Sequence, residues 1–214
     1  MLMRFLRKYM ILMFTAVTIA LPLVSNAASN KYLEYLRGWV NAGCSMNFEI
    51  KAKDRRGREV LSYNGTLAIK DKSYALAVPD AMKVICNGKE KIMINEETKE
   101  AMFASNDAQS RDLLENPLQL VFDYDSSYSV SNGRNDSVIL KDKSRHAAYP
   151  EICIQFKPGP QAGSWVPQSF EIQGKDGSVY TVIVKSFSSP SKVDAGEFDL
   201  SPGKISGYRL IDLR

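Results

Sequence analysis

The side chains best suited to catalysis are few in this sequence and far apart. His146 is the single histidine and lies in the segment KSRHAAYP, between two predicted strands. One histidine cannot build a metal site from several imidazoles. A serine nucleophile with an imidazole base needs a display turn such as Gly-x-Ser-x-Gly, and the sequence contains none. We interpret His146 as a solvated loop residue.

The carboxylates also give no assembled catalytic or metal site. Asp123 and Asp125 in DYDSS lack the central glycine and distal glutamate of a calcium loop, and Glu96 with Glu97 occupies a predicted hairpin tip. A carboxylate pair for sugar hydrolysis depends on distances in space, so that alternative stays open without favouring any pair. No phosphate-binding loop is present. The sequence predicts a binding protein rather than an enzyme, with no cofactor and no metal.

Three cysteines, Cys44, Cys86 and Cys153, are widely spaced along the chain. An oxidising compartment permits one disulfide and leaves one thiol, and the sequence does not rank the three pairings. The absence of a Cys-x-x-Cys motif argues against a redox or zinc site. Burial of all three as small apolar residues is the simpler interpretation.

The first 27 residues have the layout of a secretory signal peptide. A basic start at Arg4, Arg7 and Lys8 precedes an uncharged apolar run, 11–24, and the small residues of Ser25–Ala27 suit signal peptidase. The run is short for a membrane span, although an uncleaved anchor is the alternative. We expect export by this cleaved signal peptide and a single mature domain over residues 28–214.

The charge of the predicted mature chain is close to neutral. Residues 1–27 contain three basic side chains and no acidic one, so 25 Lys and Arg remain against 24 Asp and Glu. Nucleic-acid binding requires clustered positive charge, and this balance gives no support for it. We therefore expect no nucleic-acid partner.

Alternation of apolar and polar residues predicts many strands. In SMNFEIKAK, the apolar Met46, Phe48 and Ile50 alternate with polar residues, as in a half-buried strand. The pattern repeats through ten predicted strands, including one near Phe198, with a bulge or bend expected at Gly65. Helical spacing predicts a helix after Ser29 or Asn30 that stops at Gly43, and a two-part helical segment with Asp107 as its cap and Pro117 between the parts.

These elements predict a mainly β fold with a few short helices. Consecutive strands without βαβ alternation favour one large antiparallel sheet that curls and is covered by the helices. A curled sheet has a concave face that its own side chains do not fill. The apolar rows of the strands therefore form either an ordinary core or a surface that accepts a foreign hydrocarbon.

Five segments, in this order, resemble the LolA-like outer-membrane lipoprotein carriers, most closely the form found in Bacteroidetes-type bacteria. They are NGTLAIKDKSYALAV, VICNGKEKIMINEETKEAMFA, LLENPLQLVFDY, VPQSFEIQGKDGSVYTVIV and EFDLSPGKISGYRLIDLR. The resemblance covers essentially the whole mature chain. It implies an incomplete or half β-barrel covered by an α lid, in a monomeric periplasmic carrier. Such a carrier receives acylated lipoproteins from an inner-membrane lipoprotein-releasing ABC transporter and passes them to an outer-membrane acceptor, which the sequence does not identify.

The resemblance also implies a binding site and a lid. The predicted cavity wall consists of Met46, Phe48, Ile50, Leu61, Tyr63, Leu67, Ile69, Tyr74 and Leu76. The predicted lid residues are Leu36, Trp39, Leu114, Leu118 and Phe122. Plain core packing is the alternative for each residue, and Tyr63 and Tyr74 suit a polar rim equally well.

One departure from the family pattern concerns how the lid closes. Proteobacterial carriers follow the Gly-x-Leu-x-Val-Lys strand with Arg-Pro, and that arginine helps to hold the closed lid. Here GTLAIK is followed by Asp71 and Lys72, so that role cannot be transferred, and Lys70 or Lys72 is the candidate replacement. The alternative function is a periplasmic sensor of lipid or lipoprotein, or a general hydrophobic-ligand-binding protein, on the same fold.

Overall fold

One twelve-stranded sheet dominates the computed structural model, which describes residues 30–106, 112–144, 147–188 and 193–214. The predicted signal peptide, Asp107 and His146 lie outside these residues. The strands are β1 Cys44–Lys53, β2 Glu59–Lys70, β3 Ser73–Val78, β4 Met82–Cys86, β5 Glu90–Asn95, β6 Glu100–Ser105, β7 Tyr128–Asn132, β8 Ser137–Asp142, β9 Glu151–Pro158, β10 Trp165–Gln173, β11 Val179–Ser188 and β12 Arg209–Asp212.

The sheet is antiparallel except at one edge, where β12 runs parallel to β6. Its order is β12-β6-β5-β4-β3-β2-β1-β11-β10-β9-β8-β7, so β12 and β7 are edges and the sheet is not closed into a barrel. Residues from β4 and from β8, far apart in this order, share one apolar cluster. The sheet must therefore curl towards that cluster, as predicted for a half-barrel.

Helix α1, Lys31–Ala42, lies on the concave face and agrees with the sequence prediction. The Asn30 side chain caps it by accepting hydrogen bonds from the backbone N–H groups of Tyr32 and Leu33, and Gly43 ends it with a φ of 94°. Leu33, Leu36 and Val40 are fully buried against the sheet. No helix within the described ranges is both long enough and apolar enough to cross a bilayer.

The second predicted helical segment is shorter than its sequence pattern indicated. Residues 113–115 form a turn, Pro117–Phe122 is a 3-10 helix, and α2 covers only Tyr124–Ser127. Asn116 caps the 3-10 helix through the N–H of Leu118. Pro117 takes the first helical position, where its missing N–H costs nothing. The two-part helix was therefore an overestimate, because the apolar spacing reflects burial in a tight turn.

Gly65 was expected at a bulge or bend, and the bulge is absent at that position of the β1–β2 pair. The β1–β2 register is regular there, and the irregularity lies between Ala52 and Lys53. The reason for the glycine is the ring of Phe48 on the paired strand, since a Cβ at Gly65 would lie 2.6 Å from Phe48 Cζ. The ring thus covers the bare backbone of β2 on the concave face.

A smaller core lies on the convex side of β5 and β6. Ile92, Ile94 and Ala101 pack there against Ile205 of the C-terminal segment. The predicted strand around Phe198 is wrong, because Phe198 ends a 3-10 helix, Ala195–Phe198, and is buried as an anchor of this segment. The twelfth strand comes instead from the tail at 209–212.

Glu96 holds this C-terminal segment to the sheet. Its carboxylate accepts hydrogen bonds from Lys83 Nζ at 2.8 Å, Tyr208 Oη at 2.7 Å and Lys99 Nζ at 3.0 Å. These bonds lower the pKa of Glu96 from 4.5 to about 2. A depressed folded-state pKa stabilises the fold above the unfolded pKa, and that contribution is lost as the pH falls from about 4.5 towards 2.

We therefore expect Glu96→Gln to lower the melting temperature at neutral pH. Because the wild-type carboxylate becomes protonated as the pH falls through about 2, the difference between the two proteins should shrink below pH 4.5 and vanish only below pH 2. Thermal melts of both proteins across this pH range provide the measurement. A difference that is independent of pH would mean that the packing of the Glu96 side chain, and not its charge, holds the C-terminal segment.

Candidate functional site

The concave face and its helical cover form one continuous apolar cluster. We call α1 and residues 112–127 the lid. The strand residues of the cluster are Cys44, Met46, Phe48, Ile50, Leu67, Ile69, Tyr74, Leu76, Val84, Cys86, Val138, Leu140, Ile152, Ile154, Phe156, Val166, Phe170, Ile172, Val182 and Val184. The lid contributes Tyr32, Leu33, Leu36, Trp39, Val40, Leu118, Leu120, Val121 and Tyr124. The face is therefore apolar across most of its width and is closed by the lid.

Most residues of the predicted wall and lid meet in this cluster. Met46, Phe48, Ile50, Leu67, Ile69, Tyr74 and Leu76 of the wall are buried in it, as are Leu36, Trp39 and Leu118 of the lid. Tyr63, Leu114 and Phe122 are partly buried and pack against it. Leu61 is the exception, because it is 45% exposed near the start of β2. Whether this surface accepts a ligand stays a prediction.

Aromatic residues pack α1 against β9, β10 and β11. The Tyr32 ring stacks on Phe156 with ring centroids 5.1 Å apart and meets Trp165 edge-on at 5.0 Å. Trp39 donates from Nε1 to the backbone oxygen of Trp165 at 2.9 Å and packs edge-on against Phe187. These contacts give α1 a defined position on the apolar face.

Arg37 joins the two pieces of the lid. Its Nε donates to the backbone oxygen of Val121 at 3.0 Å, its guanidinium lies over the Tyr124 ring, and it pairs with Asp125 at 3.4 Å. Tyr124 Oη donates to Glu34 of α1 at 2.7 Å. Burial and that bond raise the pKa of Tyr124 to about 12, so the hydroxyl keeps its proton. The lid pieces are thus linked to each other as well as to the sheet.

A buried ion pair connects residues 112–127 of the lid to β5 on the concave face. Lys91 of β5 is 3% exposed and donates to Glu115 Oε2 at 3.0 Å, while Tyr74 Oη of β3 also donates to Glu115. Burial, together with the Glu115 carboxylate, raises the pKa of Tyr74, which keeps this donor protonated. We call Lys91, Tyr74 and Glu115 the polar triad. Lys70 and Lys72, the candidate replacements for the missing arginine, are both exposed.

The open end of the concave face is lined by tyrosines. Tyr63 of β2 and Tyr180 of β11 lie there, and Tyr149 meets Tyr180 edge-on at 6.3 Å. Tyr149 Oη donates to Asp112 at the start of the second lid piece, at 2.8 Å. We call this end, with Leu61, the mouth. A cleft of about 290 Å³ between Leu113, Leu120, Tyr128 and Tyr149 opens beside the lid.

The cysteines are three free thiols. Cys44 and Cys86 are buried on the concave face, and Cys153 is half-buried on the convex side. The register Cys44–Ile69–Tyr74–Cys86 separates the first two by three strand spacings, about 14 Å, against the limit of about 7 Å between Cα atoms for a disulfide. Burial raises the pKa of Cys44 to about 12, so its thiol is unreactive.

The carboxylates of the described residues do not combine into a metal site. No group of three or more His, Cys, Asp and Glu side chains comes together among them with the spacing that a metal ion needs. Glu96, in the turn between β5 and β6, accepts hydrogen bonds from Lys83, Lys99 and Tyr208. Asp125 pairs with Arg37 of the lid. These acids serve structural contacts.

Half of the apolar face was missing from the sequence-based list. Alternation was visible in EICIQF and SVYTVIVKSF, and it places Ile152, Ile154, Val182 and Val184 on the concave face with Phe170 between them. The signal was present, but the side of the sheet that faces the helices is fixed only by strand pairing. The polar triad had no sequence signal, because Lys91 and Glu115 are 24 residues apart.

Sequence comparison now identifies the family. The model of the family described as "Outer membrane lipoprotein carrier protein LolA" matches residues 42–201, about three quarters of the chain. This chain belongs to the LolA family. The match begins at the end of α1 and includes β1 to β11, and therefore the whole concave face. No curated protein matches the chain.

Solved structures with the same fold are distant in sequence. A conserved protein of Thermus thermophilus is 6% identical, with a TM-score of 0.53, over 85% of this chain and 96% of that one. A LolA-superfamily protein of Nitrosomonas europaea is 9% identical, with a TM-score of 0.48, over 80% of this chain and 98% of that one. At such identities the first likeness shows a shared fold alone.

Proposed function

We propose that this protein is a periplasmic carrier that holds the acyl chains of lipoproteins on its concave face. The observation that carries the proposal is a continuous apolar face covered by a separate helical lid. Here the cover consists of two segments from distant parts of the sequence, joined to each other through Arg37 and to the sheet at defined contacts.

The energetics explain why a displaceable lid is needed. Each methylene removed from water contributes about 0.8 kcal/mol, so one acyl chain represents on the order of 10 kcal/mol. A carrier must offer a comparable apolar surface and yet release its load. The lid residues Leu36, Leu118 and Val121 cover the same surface in the closed state, and therefore compete with the ligand. Binding then requires the lid to leave, and release allows it to return.

The polar triad is the feature that we propose holds the lid closed. A charged pair on an apolar surface loses hydration and is stable only while both partners stay together. When a ligand displaces residues 112–122, Glu115 leaves and the ion pair with Lys91 is broken at the apolar face. The cost of breaking this pair sets a threshold that an acyl chain exceeds and a small apolar molecule does not. The triad takes the place of the arginine that Asp71-Lys72 replaces.

The remaining parts of the proposal concern location and partners. Residues 1–27 act as a cleaved signal peptide, and the domain 28–214 works in the periplasm as a monomer. An inner-membrane lipoprotein-releasing ABC transporter supplies acylated lipoproteins and hydrolyses the ATP. The protein itself is not an enzyme and needs no cofactor. An outer-membrane acceptor receives the load.

Native mass spectrometry of the mature chain, purified from the periplasm of a producing cell without detergent, tests the function. We expect a bound mass that fragments to an acylated lipoprotein N-terminus. Bound phospholipid without lipoprotein would favour the alternative, a lipid sensor or general hydrophobic-ligand-binding protein on this fold. An unliganded mass that takes up no added acylated peptide would show that the apolar face is an ordinary core.

A further inference from the structure

The hairpin that joins β1 and β2 exposes apolar and basic side chains together. Among the described residues only five large apolar side chains are exposed, and two of them are neighbours here, Val60 at 63% and Leu61 at 45%. Lys53, Arg55 and Arg56 are exposed beside them. Because adjacent strand residues point to opposite faces, only Leu61 of this pair lies on the concave side, in the same hairpin as the exposed basic residues.

The charge of this hairpin is positive after its internal pairs are counted. Arg58 pairs with Asp54 at 2.7 Å, and Lys53 stands opposite Glu59 in the β1–β2 register. Arg55 and Arg56 remain, so residues 53–61 carry a net charge of +2. The neighbouring β10–β11 turn adds Lys175 and Asp176, which cancel.

The hairpin also stands at the mouth of the proposed binding site. Leu61 faces the same side of β2 as Tyr63, Leu67 and Ile69, so one row of side chains runs from the exposed tip into the buried cluster. The tyrosines of the mouth have apolar rings and polar tips, which suit the boundary between lipid and water. The basic tip and the apolar row are therefore continuous.

We propose that the β1–β2 hairpin docks the protein on an anionic lipid surface. Arg55 and Arg56 approach the lipid phosphates, and Leu61 enters the headgroup region with the mouth facing the bilayer. Docking itself requires only the hairpin. The purpose of docking, to let an acyl chain pass along the Leu61 row without crossing water, rests on the proposed function. Two net charges and one aliphatic side chain give weak, reversible binding, as a carrier needs.

Co-sedimentation of the mature protein with lipid vesicles tests the docking. We expect binding to vesicles of phosphatidylglycerol mixed with phosphatidylcholine, and little binding to phosphatidylcholine alone. Added salt should weaken the binding, because exposed charges are screened. The double variant Arg55→Glu and Arg56→Glu should reduce the binding by roughly tenfold or more. Leu61→Ser should reduce it by several-fold at unchanged charge.

A matched control uses the opposite end of the sheet. Arg134→Glu with Lys89→Glu makes the same change in net charge in the β7–β8 and β4–β5 turns, and both residues are exposed. Because its hairpin is unaltered, this variant should bind vesicles as well as the wild type does. Equal loss in both double variants would mean that net charge alone acts, and would overturn the proposal.

Two further outcomes separate this proposal from the proposed function. The variant Arg55→Glu with Arg56→Glu, if it loses vesicle binding but still takes up a fluorescent acyl probe in solution, would support docking as a separate step. A wild-type protein that ignores anionic vesicles yet binds the probe would overturn the docking and leave the carrier function intact. The hairpin would then be a surface for an acidic protein.

Discussion

Replacing Leu67 by glutamate is expected to abolish acyl binding while leaving the twelve-stranded sheet folded. Leu67 is fully buried between sheet and lid, in the middle of the apolar row of β2. A carboxylate there cannot stay charged under a closed lid, because burying an unpaired charge costs several kcal/mol. If the lid is displaceable, it detaches and water reaches the new side chain. The sheet keeps its backbone pairing.

Binding of a fluorescent acyl probe and far-ultraviolet circular dichroism make the measurement. A charge in the path of a hydrocarbon should weaken the affinity for the probe by about a hundredfold or more, since several kcal/mol are lost. Thr66→Glu is the matched control, because Thr66 is the exposed neighbour on the opposite face of the same strand. It should change neither property. Unfolding of the Leu67 variant would mean that the concave face is a permanent core.

Removing the carboxylate of the polar triad should have the opposite effect on binding. In Glu115→Ala, Lys91 loses a carboxylate partner on the apolar face, and removing one partner of a buried pair carries a free-energy cost. Opening of the second lid piece relieves part of that cost. The open state becomes more populated, and the apparent affinity rises in proportion to its population. A shift of about 2 kcal/mol corresponds to roughly thirtyfold tighter binding of the probe.

A second variant separates opening of the lid from general damage. Lys91→Met with Glu115→Gln removes both charges, keeps the side-chain volumes, and leaves an acceptor for Tyr74 Oη. Neutral replacement of a buried pair is often harmless or stabilising. This protein should bind the probe no more tightly than the wild type and should melt at the same or a higher temperature.

The measured quantities are the dissociation constant of the probe and the melting temperature of each protein. Tighter binding in Glu115→Ala together with wild-type behaviour of the double variant assigns the triad to lid closure. A lower melting temperature in Glu115→Ala without any gain in affinity would make the triad a static part of the core, and the proposed threshold for ligand entry would be wrong.

The sequence determined most of the local structure. The period of two in SMNFEIKAK, SYALAV and EICIQF predicted strands that the structure has, because an antiparallel sheet with one covered face must alternate its side chains. Asn30 and Gly43 marked both ends of α1 through cap chemistry that acts within a few residues. The LolA resemblance, carried by five ordered segments, is confirmed by the family match over residues 42–201.

Errors in local structure arose where a short-range pattern had two meanings. The apolar spacing from Leu113 to Phe122 fits a helix, but a cap at Asn116 and the proline after it produce a turn and a 3-10 helix. Phe198 looked like a strand residue and is instead a buried anchor in a single turn. In both cases burial by a distant surface, not periodicity, fixed the conformation.

Tertiary structure alone decided which surfaces face each other. The order β2-β1-β11 brings the first and last large strands side by side, and so completes an apolar face from two halves of the chain. The folded structure also places Lys91 opposite Glu115. Leu61 belongs to the same row as the buried residues of β2, but it lies exposed at the mouth, outside the cluster. Alternation tells which residues share a strand face. Only the pairing of distant strands determines which face is concave, because hydrogen-bond register between strands is a property of the folded sheet and not of any one segment.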